Sequence, residues 1–193
     1  MNHHLDKLKF SGEATALINV WRALPLRDGA VCPRKTDFNP MQMRRFLRSV
    51  FLYERCAKGN VNARVMGTKI DQLMGRYFTG KNILKLVPPE HIRALSVYYE
   101  NLHQHKCAGT MERPIHSADG GSYMIKTLQL PLLDEKGEAS FFIGVAVPGS
   151  LPKHFTDYRS ASVRASRSLD INYINIGAGM PEHMETTLAR GVG

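Results

Sequence analysis

One short stretch constrains the fold more than any other: Asn62-Ala-Arg-Val-Met-Gly-Thr68, followed by Gly75-Arg-Tyr-Phe-Thr-Gly80. It reads as an extended strand that breaks at Gly67 into a short helix over Lys69 to Met74. Gly67 can adopt a left-handed backbone that other residues avoid, so a positive φ is expected at this break. Thr68 can cap the helical turn through its hydroxyl. Gly75 stands where a left-handed helix C-cap is expected.

Periodicity extends this reading in both directions. Glu13 to Leu24 sets Ala14, Leu17, Ile18, Trp21 and Leu24 at helical spacing, and Pro25 stops that helix. Residues Arg27 to Asp37, with Gly29 and Pro33, read as a loop. Asn39 can cap and Pro40 can open a short helix running to about Leu47. Ser49 to Cys56 and Val61 to Met66 are strand-like, and Lys58-Gly59-Asn60 joins them as a hairpin. Pro88-Pro89 starts a longer helix with Ile92, Leu95, Tyr99 and Leu102 on one face. Three extended segments follow, Gly109 to His116, Ser122 to Leu133 and Ala139 to Pro148, separated by turn signals at Asp119-Gly120-Gly121 and Asp134 to Gly137. Two strands, then helices, then three strands imply an α+β domain. Its centre is a five-stranded antiparallel sheet with helices on one face and an N-terminal flanking helix.

The last strand sorts its side chains most sharply. Phe141, Ile143, Val145 and Val147 share one face, Phe142, Gly144 and Ala146 the other. Both faces are apolar, so both need cover. The first set is read as covering the helices and the pocket between them. The second set, with Phe51 and Tyr53, is read as an outer face that the N-terminal helix with Trp21, or a second copy of the chain, would cover. That outer face is wider than one short helix, which predicts a homodimer or a complex with a signalling partner built on it.

Asp37-Phe-Asn-Pro40, the strand Val50 to Tyr53, Arg64-Val-Met-Gly-Thr68, the Gly75 to Gly80 segment and Pro88-Pro89, taken in order, resemble a bacterial branch of the PAS domains, often found as nearly free-standing single domains. The resemblance covers about Ala14 to Pro148, with the basic Arg76 and aromatic Tyr77 as its main departures. It implies a sensor domain, and the order of elements suits such a domain better than an enzyme core. The expected organisation is a leader over 1–13, a PAS-like domain over 14–150 and a partly flexible tail over 151–193. In that tail, Ser160 to Ser168 looks flexible, and Ile171 to Ile176 is an apolar patch that either docks as an edge strand or stays disordered with Gly177, Gly179 and Gly191.

With 193 residues the chain holds one sizeable core and is too short for a sensor plus a standard catalytic output domain. No apolar run approaches the ~20 residues of a membrane span, and no apolar signal core opens the chain, so a cytoplasmic protein is expected. Cys32, Cys56 and Cys107 show no metal or redox spacing and are read as reduced thiols. The formal charge of +9 raises the question of an acidic partner. Basic residues are nevertheless spread through the chain, and the densest group, Arg44, Arg45 and Arg48, lacks the interleaved aromatics of a single-strand binding platform, so nucleic acid is not favoured.

No phosphate loop, nucleophile elbow, dinucleotide fingerprint or zinc helix is present, and no carboxylate pair suggests acid–base chemistry. His103, His105 and Cys107 could ligate a metal on extended backbone. On a helix, the two histidines sit ~200° apart and cannot share an ion. His91 and His116 are read as surface or hydrogen-bonded histidines rather than haem ligands. The reading is therefore a non-catalytic sensory or interaction domain with no metal. Its core either holds a small, mostly apolar ligand or is filled by side chains, with Met66, Met74, Tyr77, Leu95, Tyr99, Tyr123 and Ile143 around the candidate cavity. The alternative is a basic adaptor that recognises an anionic nucleotide messenger or nucleic acid through Arg44, Arg45 and Arg48.

Overall fold

The computed structural model of the chain describes residues 5, 12–74, 77–116, 122–149 and 169–182. The expectations for Gly75, Arg76, the turn at Asp119 to Gly121, the stretch Ser160 to Ser168 and Gly191 lie outside these residues. Helix α1 spans Gly12–Arg22. Strands β1 (Val50–Ala57) and β2 (Asn60–Met66) form the expected hairpin, turning at Gly59 with φ +72°. Helix α2 covers Thr68–Met74 and α3 covers Pro89–His105. Strands β3 (Ala108–His116), β4 (Ser122–Leu132) and β5 (Phe141–Pro148) come next, and β6 (Asp170–Ile174) is drawn from the tail.

Every pairing is antiparallel and the sheet order is β2-β1-β5-β4-β3-β6. The sheet thus has six strands where five were expected. The sixth is the Ile171 to Ile176 patch, which docks on the edge that β3 would otherwise leave unpaired. Tyr173 anchors it: its hydroxyl accepts from Asn101 Nδ2 at 2.9 Å, and its ring lies 5.7 Å from that of Tyr98 on α3.

The two sheet faces carry separate cores. On one, Leu17, Ile18 and Trp21 of α1 pack with Leu52, Leu128, Leu130, Ile143 and Val145, joined by Cys32, Met43 and Phe46 from the connection to β1. Trp21 Nε1 donates to Pro131 O at 2.8 Å, so the indole is both buried and hydrogen-bonded. Leu5, from the segment read as a leader, is buried in this core too. On the other face, α2 and α3 pack with Phe51, Phe142, Ala146, Tyr123 and Ile125.

The assignment of the sheet faces is therefore the reverse of the sequence reading. Phe51, Phe142 and Ala146 face the helices, while Ile143 and Val145 lie under α1. The predicted uncovered outer face is consequently absent among the described residues: Leu52 is 7% exposed and Val145 is fully buried, beneath α1 and its following loop.

Three local details also differ from expectation. Asn39 does cap, accepting from Met41 N at 3.0 Å, but Pro40–Met43 and Leu47–Ser49 are two 3₁₀ turns rather than one helix. On α3 the buried stripe is His91, Leu95, Tyr98, Tyr99 and Leu102, and Ile92 is 40% exposed. At 100° per residue Ile92 falls ~80° from the centre of that stripe. Gly67, finally, does not have a positive φ. A Cβ there would overlap Arg48 O and C, so glycine is required by close backbone approach.

Candidate functional site

Across the helix-facing side of the sheet, register aligns Met66, Phe51, Gly144, Gln129 and Gly109 in one row. The two glycines make room for aromatics: a Cβ at Gly144 would overlap the Phe51 ring, and one at Gly109 the Tyr98 hydroxyl. Phe51 therefore lies across β5 and stacks on Tyr53 with centroids 4.4 Å apart. Beside these two rings the packing leaves a cavity of ≈ 40 Å³ between α2 and the sheet. Ile70 and Met74 of α2 and Met66 at the end of β2 close one side, with Phe78 beyond the helix. Ile125, Thr127 and Ala146 form the floor, and Arg113 of β3 contributes the one charged side chain.

The walls are largely apolar and their polar groups are held by burial. Tyr53, Tyr98 and Tyr99 all have hydroxyl pKa values pushed up by burial, so the three phenols stay neutral; Arg113 opposes the rise at Tyr53 and Tyr99. Arg113 NH2 lies 3.3 Å from Met74 Sδ. Asp71 of α2 accepts from Phe78 N at 3.3 Å, and its carboxyl is raised, mainly by burial. Behind the cavity, Arg55 of β1 makes a bidentate pair with Glu100 of α3, at 2.7 and 2.9 Å, fixing that helix against the sheet.

The predicted cavity residues divide. Met66 and Met74 line the cavity. Leu95, Tyr99 and Tyr123 belong to the same core without reaching it, Tyr99 through an edge contact with Tyr53 and Tyr123 through a bond to Leu73 O at 3.0 Å. Tyr77 is 78% exposed, and Ile143 sits in the opposite core, so neither borders the cavity. Sequence reasoning passed over Phe51, Tyr53, Ala146 and Arg113. The available signal was parity: Met111 and Ile115 alternate inward on β3, which places Arg113 between them on the same face.

Among the described residues, no group of three potential metal ligands comes together. His103 and His105 both lie within α3, on nearly opposite sides of the helix. Cys32 and Cys107 are buried thiols whose pKa burial pushes up to about 12, and Cys56 is exposed. Arg44, Arg45 and Arg48 are exposed on the two 3₁₀ turns and their connection, with no acidic partner among the described residues.

The family model described as "PAS domain" matches residues 10–147. The chain belongs to the PAS-domain family. No curated protein matches it. Solved structures similar to this PAS domain include a light-oxygen-voltage domain studied with a flavin analogue, 17% identical with a TM-score of 0.40, covering 52% of this chain and 76% of that one. The PAS domain of a protein from Colwellia psychrerythraea is 13% identical with a TM-score of 0.40, covering 56% and 96%. An RNA-binding light-oxygen-voltage receptor is 17% identical with a TM-score of 0.42, covering 65% of this chain and 36% of that one. The PAS fold is that of a sensory or interaction domain, and domains of this family are generally sensory and commonly mediate dimerisation or partner contacts. Among the described residues no helix is long and apolar enough to cross a membrane.

Proposed function

We propose that this PAS domain is a non-catalytic sensor in bacterial signal regulation that binds a small molecule in its inner core and passes its state to a partner protein. The observation that carries this reading is the ≈ 40 Å³ cavity between α2 and the sheet, walled by adaptable methionines within a family whose members are generally sensory. The motif resemblance to a bacterial PAS branch supports the cellular setting. A flavin does not fit this cavity, which is well below the ~150 Å³ that admits a single benzene ring. The ligand is therefore small. Relay is proposed through β5, which has Ala146 on the cavity and Val145 under α1, so a shift on one face reaches the flanking helix directly. A homodimer or a signalling partner would then read the position of α1. Native mass spectrometry of the full chain purified from its own cells tests the ligand half: a bound small molecule is expected, and the unliganded mass alone would count against it.

A second reading draws on Arg44, Arg45 and Arg48, three exposed cations on neighbouring turns without acidic partners among the described residues. They would serve an adaptor for an anionic nucleotide messenger or nucleic acid. Retention on heparin or a cyclic-dinucleotide resin discriminates, because binding lost well below physiological salt is only non-specific electrostatics.

A further inference from the structure

Over residues 40–49 the chain turns every three residues. Gln42 N, Arg44 N, Phe46 N and Ser49 N each donate to the carbonyl three residues back, at 2.9–3.3 Å. Such turns stack residue i on residue i+3, and burial follows that period. Met43, Phe46 and Ser49 are buried, with Met43 and Phe46 anchored in the core under α1. Met41, Arg44 and Leu47 form one exposed line, and Gln42, Arg45 and Arg48 form the other.

This outer ridge is mixed in character. Met41 is 65% exposed, Leu47 is exposed as well, and Gly67 brings the end of β2 against the Leu47 and Arg48 carbonyls, two residues from the exposed Val65. Arg44, Arg45 and Arg48 have no acidic partner among the described residues, and residues 40–49 include neither an acidic residue nor a lysine. One exposed methionine would mean nothing. Apolar side chains interleaved with unpaired arginines, however, have the composition of a protein interface, where Met and Arg are enriched and Lys is depleted.

The ridge is also tied to both helical covers of the sheet. Ser49 Oγ donates to Glu13 Oε1 of α1 at 3.0 Å, and Lys69 Nζ of α2 lies 3.5 Å from the same oxygen. One carboxylate thus joins the ridge to α1 and to α2, the helix whose Ile70 and Met74 border the cavity.

We infer that this ridge is the docking surface for a signalling partner, and that it receives an amphipathic segment of that protein carrying carboxylates beside apolar side chains. This rests on the reading of the domain as one that passes its state to a partner. Each arginine can hold a carboxylate in two parallel hydrogen bonds, while Met41 and Leu47 take the apolar side chains between them. A polyphosphate or nucleic acid would use the cations and leave those two residues without partners.

The test replaces Met41 of the full chain, and separately Asn19 on the exposed side of α1, with the photo-cross-linker p-benzoylphenylalanine, and irradiates the protein's own cells. Position 41 should give a protein adduct whose cross-linked peptide is acidic and apolar. Combining Arg44→Gln, Arg45→Gln and Arg48→Gln should cut the adduct yield about tenfold, the sum expected of three exposed ion pairs, and lysine at the same positions should recover part of it. A nucleic-acid or lipid adduct, a cross-linked peptide without acidic residues, or a yield unchanged in the triple glutamine variant would overturn the docking surface. An adduct at position 19 alone would overturn it while leaving relay to a partner in place, and no protein adduct at either position would overturn the relay as well. Should the triple variant fail to fold, the composition of the peptide cross-linked at position 41 in the chain with its arginines intact still decides.

Discussion

Gly67 shows how a single residue can be indispensable for a reason other than its dihedral angle. Its N–H donates to Val50 O at 2.8 Å, its carbonyl accepts from Ile70 N and Asp71 N to start α2, and the Arg48 carbonyl lies where a Cβ would be. Gly67→Ala should therefore destabilise the fold by about 1–3 kcal/mol, the usual range for overpacking a tight site, as read by urea denaturation. An unchanged midpoint would show that the Leu47–Ser49 turn can move aside. Thiol chemistry gives a second check at this scale. With Cys32 and Cys107 buried and both raised to about 12, alkylation of the native chain at pH 8 should label Cys56 and spare the other two. Glu100 supplies a pH dependence. Its hydrogen bond to Arg55 is the main reason its pKa lies below the ordinary 4.5, so its stabilisation is complete above that value and is lost as pH falls through the lowered folded-state pKa. The acid side of the stability profile should flatten in Glu100→Gln, measured by denaturation at pH 7 and at successive steps below 4.5.

At the level of elements, two additions to the sheet decide how its faces and edge are covered. Trp21 of α1 is 3% exposed and bonded to Pro131 O, so Trp21→Ala should lower stability by about 3–5 kcal/mol in calorimetry. Tyr173 ties β6 to α3, and Tyr173→Ala should raise hydrogen exchange selectively along Ala108–Glu112, the segment of β3 that pairs with β6. A rise spread over the whole sheet would mean that β6 is part of the global folding unit. Much of this architecture was legible in the sequence because local chemistry announces it: Gly59 in its hairpin, Asn39-Pro40 at its turn, and the Asp134 carboxylate, whose oxygens accept from Lys136 N, Glu138 N and Ser140 Oγ at 2.8–2.9 Å. The face assignment was not legible, because β5 is apolar on both sides and parity can only be fixed from its partners. Once Met66 is inward, Phe51 and Gly144 follow by register, and with them Ala146. Tyr77 was misplaced for another reason: its aromatic character says nothing about direction in a segment without a regular period, and it points to solvent.

The whole molecule is a PAS sheet sandwiched between two cores, with α1 and its following loop on one side and α2 and α3 on the other. Coupling across it needs no long route, since neighbouring residues of β5 serve the cavity and α1 in turn. Deleting residues through Leu24 would strip the helical part of the cover from one face and should cause aggregation or a lower melting temperature, whereas an unchanged melting curve would make α1 peripheral. Whether the inner core is open to a ligand is the point on which the sensor reading turns. A crystal structure of the full chain under xenon pressure addresses it directly, because xenon enters dry apolar cavities without needing a specific ligand. A xenon atom should appear among Met66, Met74, Ile125 and Ala146. A refined structure with those side chains in contact and no xenon between them would contradict the open cavity and leave a domain that acts through its surface alone.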